Sequence, residues 1–365
     1  MNYEIWLDDP TGRHMILIDQ VSGMRAVKVT GNAGAIVLTL PSIYDPYIKL
    51  DGIVEIWRKG EGGTLKLFNA YFIRKWVYSD EGGIPVTKIT GVDGVHLLSR
   101  RIVAYAAGSA NADITDYADD MAKTIVRAAA TTAATDADRR WDALGFTVAV
   151  DESAAPSIAM AFSYRNILEV LYDITQASRE NDTRLYFDVV PIPQDNGTLG
   201  WQFRTHTGQP GIDRTGADQI VFSPEWGNLK NASLTFDHAD EVTVVYSGGQ
   251  GMDEQRIVVE VEDVTRAGSS VWNRIEAFYN CSGQAETTAQ VTAAGQAELS
   301  TLRPRLEFIG VLTDVPSVRF GVDWQFGDRV IVSYRGYQFD AVINAVELSL
   351  DGSGMETISG GFELL

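Results

Sequence analysis

Two distant stretches of this chain share one order of elements, and this weak internal repeat constrains the fold more than any other feature. Residues 52–91 and residues 328–360 each read as a strand, a short turn, a long strand, an acidic glycine-rich turn and a final strand. The acidic turns are residues 80–83 in the first stretch and residues 351–354 in the second. Such an order predicts an antiparallel β-meander, the usual material of small barrels and sandwiches.

A further strand precedes each stretch, ending at Leu40 in the first case and lying near residues 305–311 in the second. Two interpretations stay open, because meanders also resemble each other through composition alone. The sharper interpretation is a duplicated β-barrel-like module separated by an α+β insert. The fold class is then mainly β. The predicted domains are a first β-barrel domain at 1–100, an α+β insert at 101–225, and a second β-barrel domain at 226–365 with an inserted helix near 284–303.

The middle of the chain changes character and indicates helices. The clearest helix is predicted over residues 165–180, where apolar side chains form one stripe at helical spacing. Thr115 or Asp116 is a candidate cap for a second helix that runs through Val126. Residues 184–205 read as a hairpin, so the insert combines helices and strands.

The charge balance argues against one broad class of function. The chain has 365 residues, with 49 acidic against 30 basic side chains and a formal net charge of −19. A dedicated nucleic-acid binder needs a basic face that neutralises phosphates. No apolar run reaches the length of a membrane span. Cys281 is the only cysteine, so no internal disulfide is possible, which fits folding in the cytosol.

The sequence lacks the common motifs of catalysis and metal binding. No Walker A loop, nucleophile elbow or His-Glu-x-x-His motif is present, and one cysteine rules out a cysteine-based zinc site. Residues 136–140 resemble a calcium loop, but they lack its glycine and place arginine where an oxygen ligand belongs. The histidines, which do not lie at metal-ligand spacing from one another, are His14, His96, His206 and His238. We therefore predict no catalytic, cofactor-binding or metal-binding residue and no cofactor.

Carboxylate pairs leave an enzymatic alternative open. They are Asp8 with Asp9, Asp119 with Asp120, and Glu260 with Glu262. A glycosidase needs two carboxylates that face each other across a cleft, but a chain with this many acids contains adjacent pairs by chance. A solvated acidic face is the simpler interpretation. Glu260 and Glu262 share one strand face, so their like charges need screening by water or cations.

Aromatic side chains in the predicted strands have a structural and a functional interpretation. Trp57, Tyr71 and Trp76 are most simply core or subunit-interface residues. A sugar-binding platform is the functional alternative.

Two similar modules in one chain have a consequence for symmetry. A trimer presents six similar modules in a ring, which can join a threefold object to a sixfold one. Closed rings are the ordinary outcome of heterologous contacts whose rotation closes. The repeat permits such a ring.

Residues 100–110, Arg-Arg-Ile-Val-Ala-Tyr-Ala-Ala-Gly-Ser-Ala, are followed by Asp119-Asp120-Met121 and Ile125-Val126-Arg127. This segment resembles the hub, baseplate-hub or tail-tip proteins of siphophage tails. The opening residues 3–8 and the later residues 326–330 are also similar to that family.

The resemblance implies a non-enzymatic structural virion protein at the distal end of the tail, made in the host cytoplasm. It implies a homotrimeric ring that adapts the hexameric tail tube to a threefold central fibre or spike and lines the DNA channel. The implied partners are the distal tail protein or tail tube ring, the central and tail fibre proteins, and the tape measure protein. DNA passes through an acidic lumen without specific binding. Arg100 and Arg101 are candidate ion-pair partners for an adjacent subunit. The alternatives are a phage-borne glycan or peptidoglycan hydrolase and a carbohydrate-binding tail module.

Overall fold

A computed structural model describes residues 3–60, 64–104, 112–251, 253–283 and 285–365. The strands are β1 Tyr3–Asp8, β2 His14–Ile18, β3 Gly23–Val29, β4 Ala35–Pro41, β5 Ile53–Lys59, β6 Leu65–Glu81, β7 Ile84–Val92, β8 Ala112–Tyr117, β9 Phe146–Val148, β10 Ser157–Phe162, β11 Leu185–Pro193, β12 Leu199–Thr207, β13 Val221–Phe222, β14 Leu229–Asp237, β15 Val244–Gly248, β16 Val258–Glu262, β17 Glu276–Asn280, β18 Arg305–Thr313, β19 Arg329–Tyr334, β20 Tyr337–Leu350 and β21 Glu356–Leu364.

The helices are fewer and lie mostly between the two β regions. The α-helices are α1 His96–Ser99, α2 Ala118–Ala130, α3 Ile167–Glu180, α4 Val264–Ala267 and α5 Thr288–Thr301. Short 3₁₀ turns occupy Ser42–Tyr47, Ala137–Arg139, Asp142–Leu144, Pro224–Trp226 and Asp253–Gln255. None of the helices in the described part of the chain is long and apolar enough to cross a membrane.

The chain forms two compact units, which differ from the three predicted domains. One unit contains residues 1–231 and 310–365, and the other contains residues 232–309. The chain passes from the first unit to the second within β14 and returns within β18. The predicted division at residues 100 and 225 stays a prediction.

The larger unit is built on one continuous, mainly antiparallel sheet that does not close. Its described strands follow the order β18-β21-β20-β3-β4-β7-β6-β5-β1-β2, with β14 beside β18 and with β19 beside β20. Strand β13 adds to the other side of β19 and is parallel to it. The far half of β20 pairs with β3, so the second β region continues edge to edge into the first. The structure is therefore mainly β, as predicted, but the described strands form no closed barrel, because β20 continues into β3.

The first β region encloses an apolar core. Leu7, Leu38, Val54 and Ile73 are buried in it, and Leu348 of β20 joins the same cluster. These side chains lie on the inward parity of their strands, as alternation requires. Tyr71 is fully buried in this core, as the structural interpretation of that residue predicts, whereas Trp57 and Trp76 are half-buried.

The insert packs its helices on the hairpin of β11 and β12. The predicted helix over 165–180 is confirmed as α3, with Asn166 accepting the Leu168 N–H as its cap. The predicted hairpin over 184–205 is also confirmed. The predicted cap of α2 is wrong, because Thr115 and Asp116 lie in β8, which pairs with β10.

The smaller unit is a three-stranded sheet with one helix. Strand β15 lies between β16 and β17, and α5 packs on β15 and β16. The helix predicted near residues 284–303 is α5, which starts at Thr288, and the predicted first residue, Gln284, lies outside the described residues. Thr287 caps the Gln290 N–H while the Gln290 side chain accepts the Thr287 N–H, a complete capping box.

A buried ionic cluster attaches a loop to the first turn of α2. The Nζ atom of Lys123 lies 3.6 Å from Asp119 and 3.3 Å from Asp120, and all three side chains are buried. Asp120 accepts the backbone N–H groups of Glu152 and Ser153, each at 2.9 Å. Burial alone raises the pKa of Asp120, but these donors and Lys123 outweigh it and hold that pKa below its usual range. This acid pair is therefore structural.

We expect Asp120→Ala to lower the free energy of unfolding by about 3 kcal/mol, because it leaves Lys123 and two backbone N–H groups with fewer buried partners. The exposed Asp138→Ala is the matched control, with an expected change within about 0.5 kcal/mol. Urea unfolding measures both values. Equal stability of the two variants would show that the cluster contributes nothing net.

Candidate functional site

The described residues contain one group of three side chains that could hold a metal ion. Potential ligand atoms of Asp8, His14 and Glu55 all lie within 4.8 Å of one another. The His14 Nδ1 atom is 2.8 Å from Asp8 Oδ1 and 3.9 Å from Glu55 Oε1. The sequence analysis missed this group because the three residues lie on β2, β1 and β5, which only the sheet brings together.

Burial gives this group an unusual protonation. Asp8 and Glu55 are buried side by side, whereas His14 is half-exposed and its ring stacks on Trp6. Burial, followed by the hydrogen bond and charge of Glu55, raises the pKa of Asp8 to about 9. At neutral pH Asp8 therefore carries a proton. The Glu55 carboxylate accepts the Trp57 Nε1–H at 2.6 Å.

The other histidines are not brought into a comparable group within the described residues. His96 contacts the Ser99 hydroxyl at 3.1 Å, and His238 contacts Glu241 at 2.7 Å. His206 lies on β12, where burial lowers its pKa. Asp136 accepts the Asp138 N–H, so residues 136–140 form an ordinary capped turn.

Arg274 provides the screening that Glu260 and Glu262 need. Its guanidinium lies 2.9 Å from Glu260, 3.3 Å from Glu262 and 2.8 Å from Glu276. Hydrogen bonding to Arg274 holds the pKa of Glu260 below its ordinary value. A single cation from the same unit therefore contacts all three carboxylates, and Glu260 and Glu262 do not face each other across an empty cleft.

Arg100 and Arg101 have partners within their own chain. The Arg100 Nη2 atom lies 2.8 Å from Asp51 Oδ1, and the Arg101 guanidinium lies 4.3 Å from the centre of the Trp141 ring. Both line a cavity of about 320 Å³. Arg100 therefore does not need the expected ion pair with an adjacent subunit to balance its charge. Residues 105–110 of the segment that carries the family resemblance lie outside the described residues.

The aromatic walls of that cavity are packed rather than presented to solvent. Trp201 and Phe72 are buried and stack on each other with ring centres 4.7 Å apart. An aromatic residue that the sequence analysis did not single out, Trp272, is 88% exposed in the smaller unit.

The two β regions pair their strands in the same order. In the first region β4, β7, β6 and β5 are neighbours in that order, and we call them the first meander. In the second region β18, β21, β20 and β19 are neighbours in that order, and we call them the second meander. The strand that precedes each stretch in sequence therefore pairs with the last strand of the meander, not the first.

The register of the two meanders also agrees. Each long central strand has a bulge where it pairs with the last strand of its meander, after Ile73 in the first meander and after Ile343 in the second. Strand β6 has a second irregularity at Phe68, opposite β5, which β20 does not share opposite β19. Ile73 accepts the Asp51 N–H at 3.1 Å, and Ile343 accepts the Gly327 N–H at 2.9 Å. We call two residues equivalent when they take the same place in this pairing.

One sequence identity follows from this register. Leu38 pairs with Ile89 and Leu312 pairs with Gly360, and these positions are equivalent. Each of these leucines lies in a Val-Leu-Thr tripeptide, residues 37–39 and residues 311–313. The sequence analysis placed strands at these positions but did not compare the tripeptides.

Asp328 organises the start of the second meander. Its buried carboxylate accepts the Ile212 N–H at 2.8 Å and lies 2.6 Å from the Arg214 Nε atom. Gly327 before it has a φ of +88°, and a Cβ atom there would come within 2.9 Å of the Gly211 nitrogen. The glycine-aspartate start noted in the sequence thus has a local structural role.

We expect Asp8→Asn to gain stability relative to the wild type as pH rises from 5 to 9. The pKa of Asp8 is higher in the folded state than in the unfolded state. The stability that this raised pKa contributes is therefore complete at pH values below the unfolded pKa and is lost as pH rises toward 9. Asparagine does not titrate. Melting temperatures across this pH range measure the difference. A loss of stability that EDTA reproduces in the wild type would instead indicate a cation held by Asp8, His14 and Glu55.

Two solved tail proteins have a similar fold. The 43 kDa tail protein of prophage MuSo2 from Shewanella oneidensis is 14% identical, with a TM-score of 0.55 over 99% of this chain and 98% of that chain. The tail protein from Neisseria meningitidis MC58 is 12% identical, with a TM-score of 0.53 over 99% and 96% of the two chains. No curated protein matches the sequence. The sequence does match a described family over residues 4–360, nearly its whole length, and the chain therefore belongs to the Siphovirus ReqiPepy6 Gp37-like protein family.

Proposed function

We propose that this protein is a structural component of a siphovirus tail and forms the hub at the distal end of the tail tube. In this proposal three chains form a ring whose six meanders continue the sixfold tube. The ring then accepts a threefold central fibre or spike on its other face. The observation that carries the proposal is the shared pairing order and shared bulge position of the two meanders.

The shared register supports a duplicated module. Composition alone produces strands and turns, but it does not place a bulge after equivalent isoleucines or repeat the same turn hydrogen bond before them. Two equivalent modules in one chain let three chains occupy six similar positions. A threefold ring with this property presents a near-sixfold pattern to the tube and a true threefold pattern to the fibre.

Family membership and the fold point in the same direction. The family is a siphovirus family, and the two similar solved structures are tail proteins. We infer a location in the virion tail, with the tube ring and fibre proteins as neighbours. A net charge of −19 suits a channel through which DNA must slide, because like charges repel phosphates.

The geometry favours assembly over hydrolysis. The carboxylate pairs singled out in the sequence contact buried Lys123 or exposed Arg274, or lie at the start of the first hairpin. None of these pairs has the arrangement of an acid and a nucleophile across a cleft. The proposed protein acts through contacts between subunits and has no substrate.

We expect the purified chain to form a species of three chains. The expected mass is three times 40.0 kDa, about 120 kDa, by light scattering on a sizing column. Top views in negative-stain electron microscopy should show a ring with six lobes, because each chain contributes two meanders. A ring with three lobes, or an even-numbered oligomer, would contradict the proposed role of the duplication. The tail tube protein added to the column serves as a template control.

A further inference from the structure

We propose that the unpaired edge of β6 at residues 75–80 binds β14 of a second copy of this chain, adding a strand to the sheet. This inference rests on the proposed ring and names the contact that holds it together. Residues 65–72 of β6 pair with β5, whereas residues 75–80 have no strand on that side among the described residues. We call this side of residues 75–80 the open edge.

The chain itself contains the template for this contact. The residues equivalent to the open edge are 345–350 of β20, and they pair with residues 24–29 of β3 on the corresponding side. The second meander therefore joins the first through β20 and β3. In a ring of six similar modules, the first meander must join the next chain through the same edge.

Side chains on the open edge are more exposed than their equivalents on β20, which lie beside β3. Leu348 is fully buried in the core that includes Met24 and Ala26 of β3. Its equivalent, Tyr78, is 61% exposed, and the neighbouring Val77 is 44% exposed. An exposed strand edge with large apolar side chains is a ready site for strand addition.

Strand β14 has the matching unpaired edge. In the first meander β3 lies beside β4, and in the second meander β14 lies beside β18. Both edges of β3 are used, by β4 and β20, but β14 ends the described sheet and pairs only with β18. Strand β14 is therefore the equivalent of β3. One chain then offers the free edge of β14 at one end of its two meanders and the open edge of β6 at the other end. The contact is heterologous, since the two edges differ, and such a contact forms a ring when its rotation closes, as the proposed three-chain ring requires.

The direct test compares two lysine substitutions on the same hairpin. Tyr78→Lys introduces a charge on the open edge, where the inference places a neighbouring chain. Ile84→Lys is the matched control, because Ile84 is 64% exposed and its equivalent, Met355, is likewise 68% exposed. We expect Tyr78→Lys to reduce the mass from about 120 kDa to that of one chain, 40.0 kDa, while the far-UV circular dichroism spectrum stays that of the folded chain. Ile84→Lys should keep the mass of the wild type.

A second measurement identifies the partner strand. Chains with Ser79→Cys alone and chains with Ser233→Cys alone are mixed and treated with a short bis-maleimide. Both serines are exposed, and the native Cys281 is buried, so background linkage is low. We expect linked pairs in the mixture and none in either variant alone. Linkage in Ser79→Cys alone would show that two β6 edges meet and would overturn the inference.

The outcomes separate this inference from the proposed function. If the wild type forms a three-chain ring that Tyr78→Lys leaves intact, the ring stands and the edge contact is wrong. If the wild type stays monomeric and the mixed cysteine chains still link, the edges meet and the stable ring is wrong. A monomeric wild type with no linkage at the highest soluble concentration overturns both.

Discussion

The structure depends on one property of an antiparallel strand, which is that it has two hydrogen-bonding edges. Strand β20 uses one edge for β21 along most of its length and divides the other between β19 and β3. The bulge after Ile343 separates the two halves and permits the strand to change partners. Because of this division, the second meander continues into the first, and ion pairs such as Arg25 with Glu347 can form between residues far apart in sequence.

Strand β6 is divided between partners in the same way, but no described strand lies beside it in the position that β3 takes beside β20. Residues 65–72 of β6 pair with β5 and residues 72–81 pair with β7, and among the described residues no strand pairs with the β5 side of residues 75–80. The contrast between Leu348, which is buried, and Tyr78, which is exposed, follows from the presence of β3 beside one and its absence beside the other. A subunit contact of this kind needs no special chemistry, because backbone N–H and C=O groups supply it and apolar side chains add specificity.

Charged groups in this protein support the fold more than they support chemistry. Asp119 and Asp120, paired with Lys123, hold residues 152–155 to α2. Asp328 joins the start of β19 to residues 212–214, and Arg274 contacts three glutamates. Each cluster is satisfied by groups of its own unit. The Asp8, His14 and Glu55 group differs, since two carboxyl groups are buried side by side there and burial raises the pKa of Asp8. That is the place where a cation or a proton must balance two carboxylates.

The sequence by itself determined the kinds of element and their order. Apolar periodicity predicted α3, glycine and proline placed the hairpin of β11 and β12, and the shared order of strands and turns predicted two meanders. Tertiary structure decided which edges meet, which acid pairs are buried, and that the sheet stays open. The reason is that periodicity depends on neighbours a few residues apart, whereas these features depend on contacts such as that between residues 25 and 347, which no local pattern encodes. The strand register is likewise a property of the tertiary structure, because the matching positions of Ile73 and Ile343 are defined by their pairing with β7 and β21.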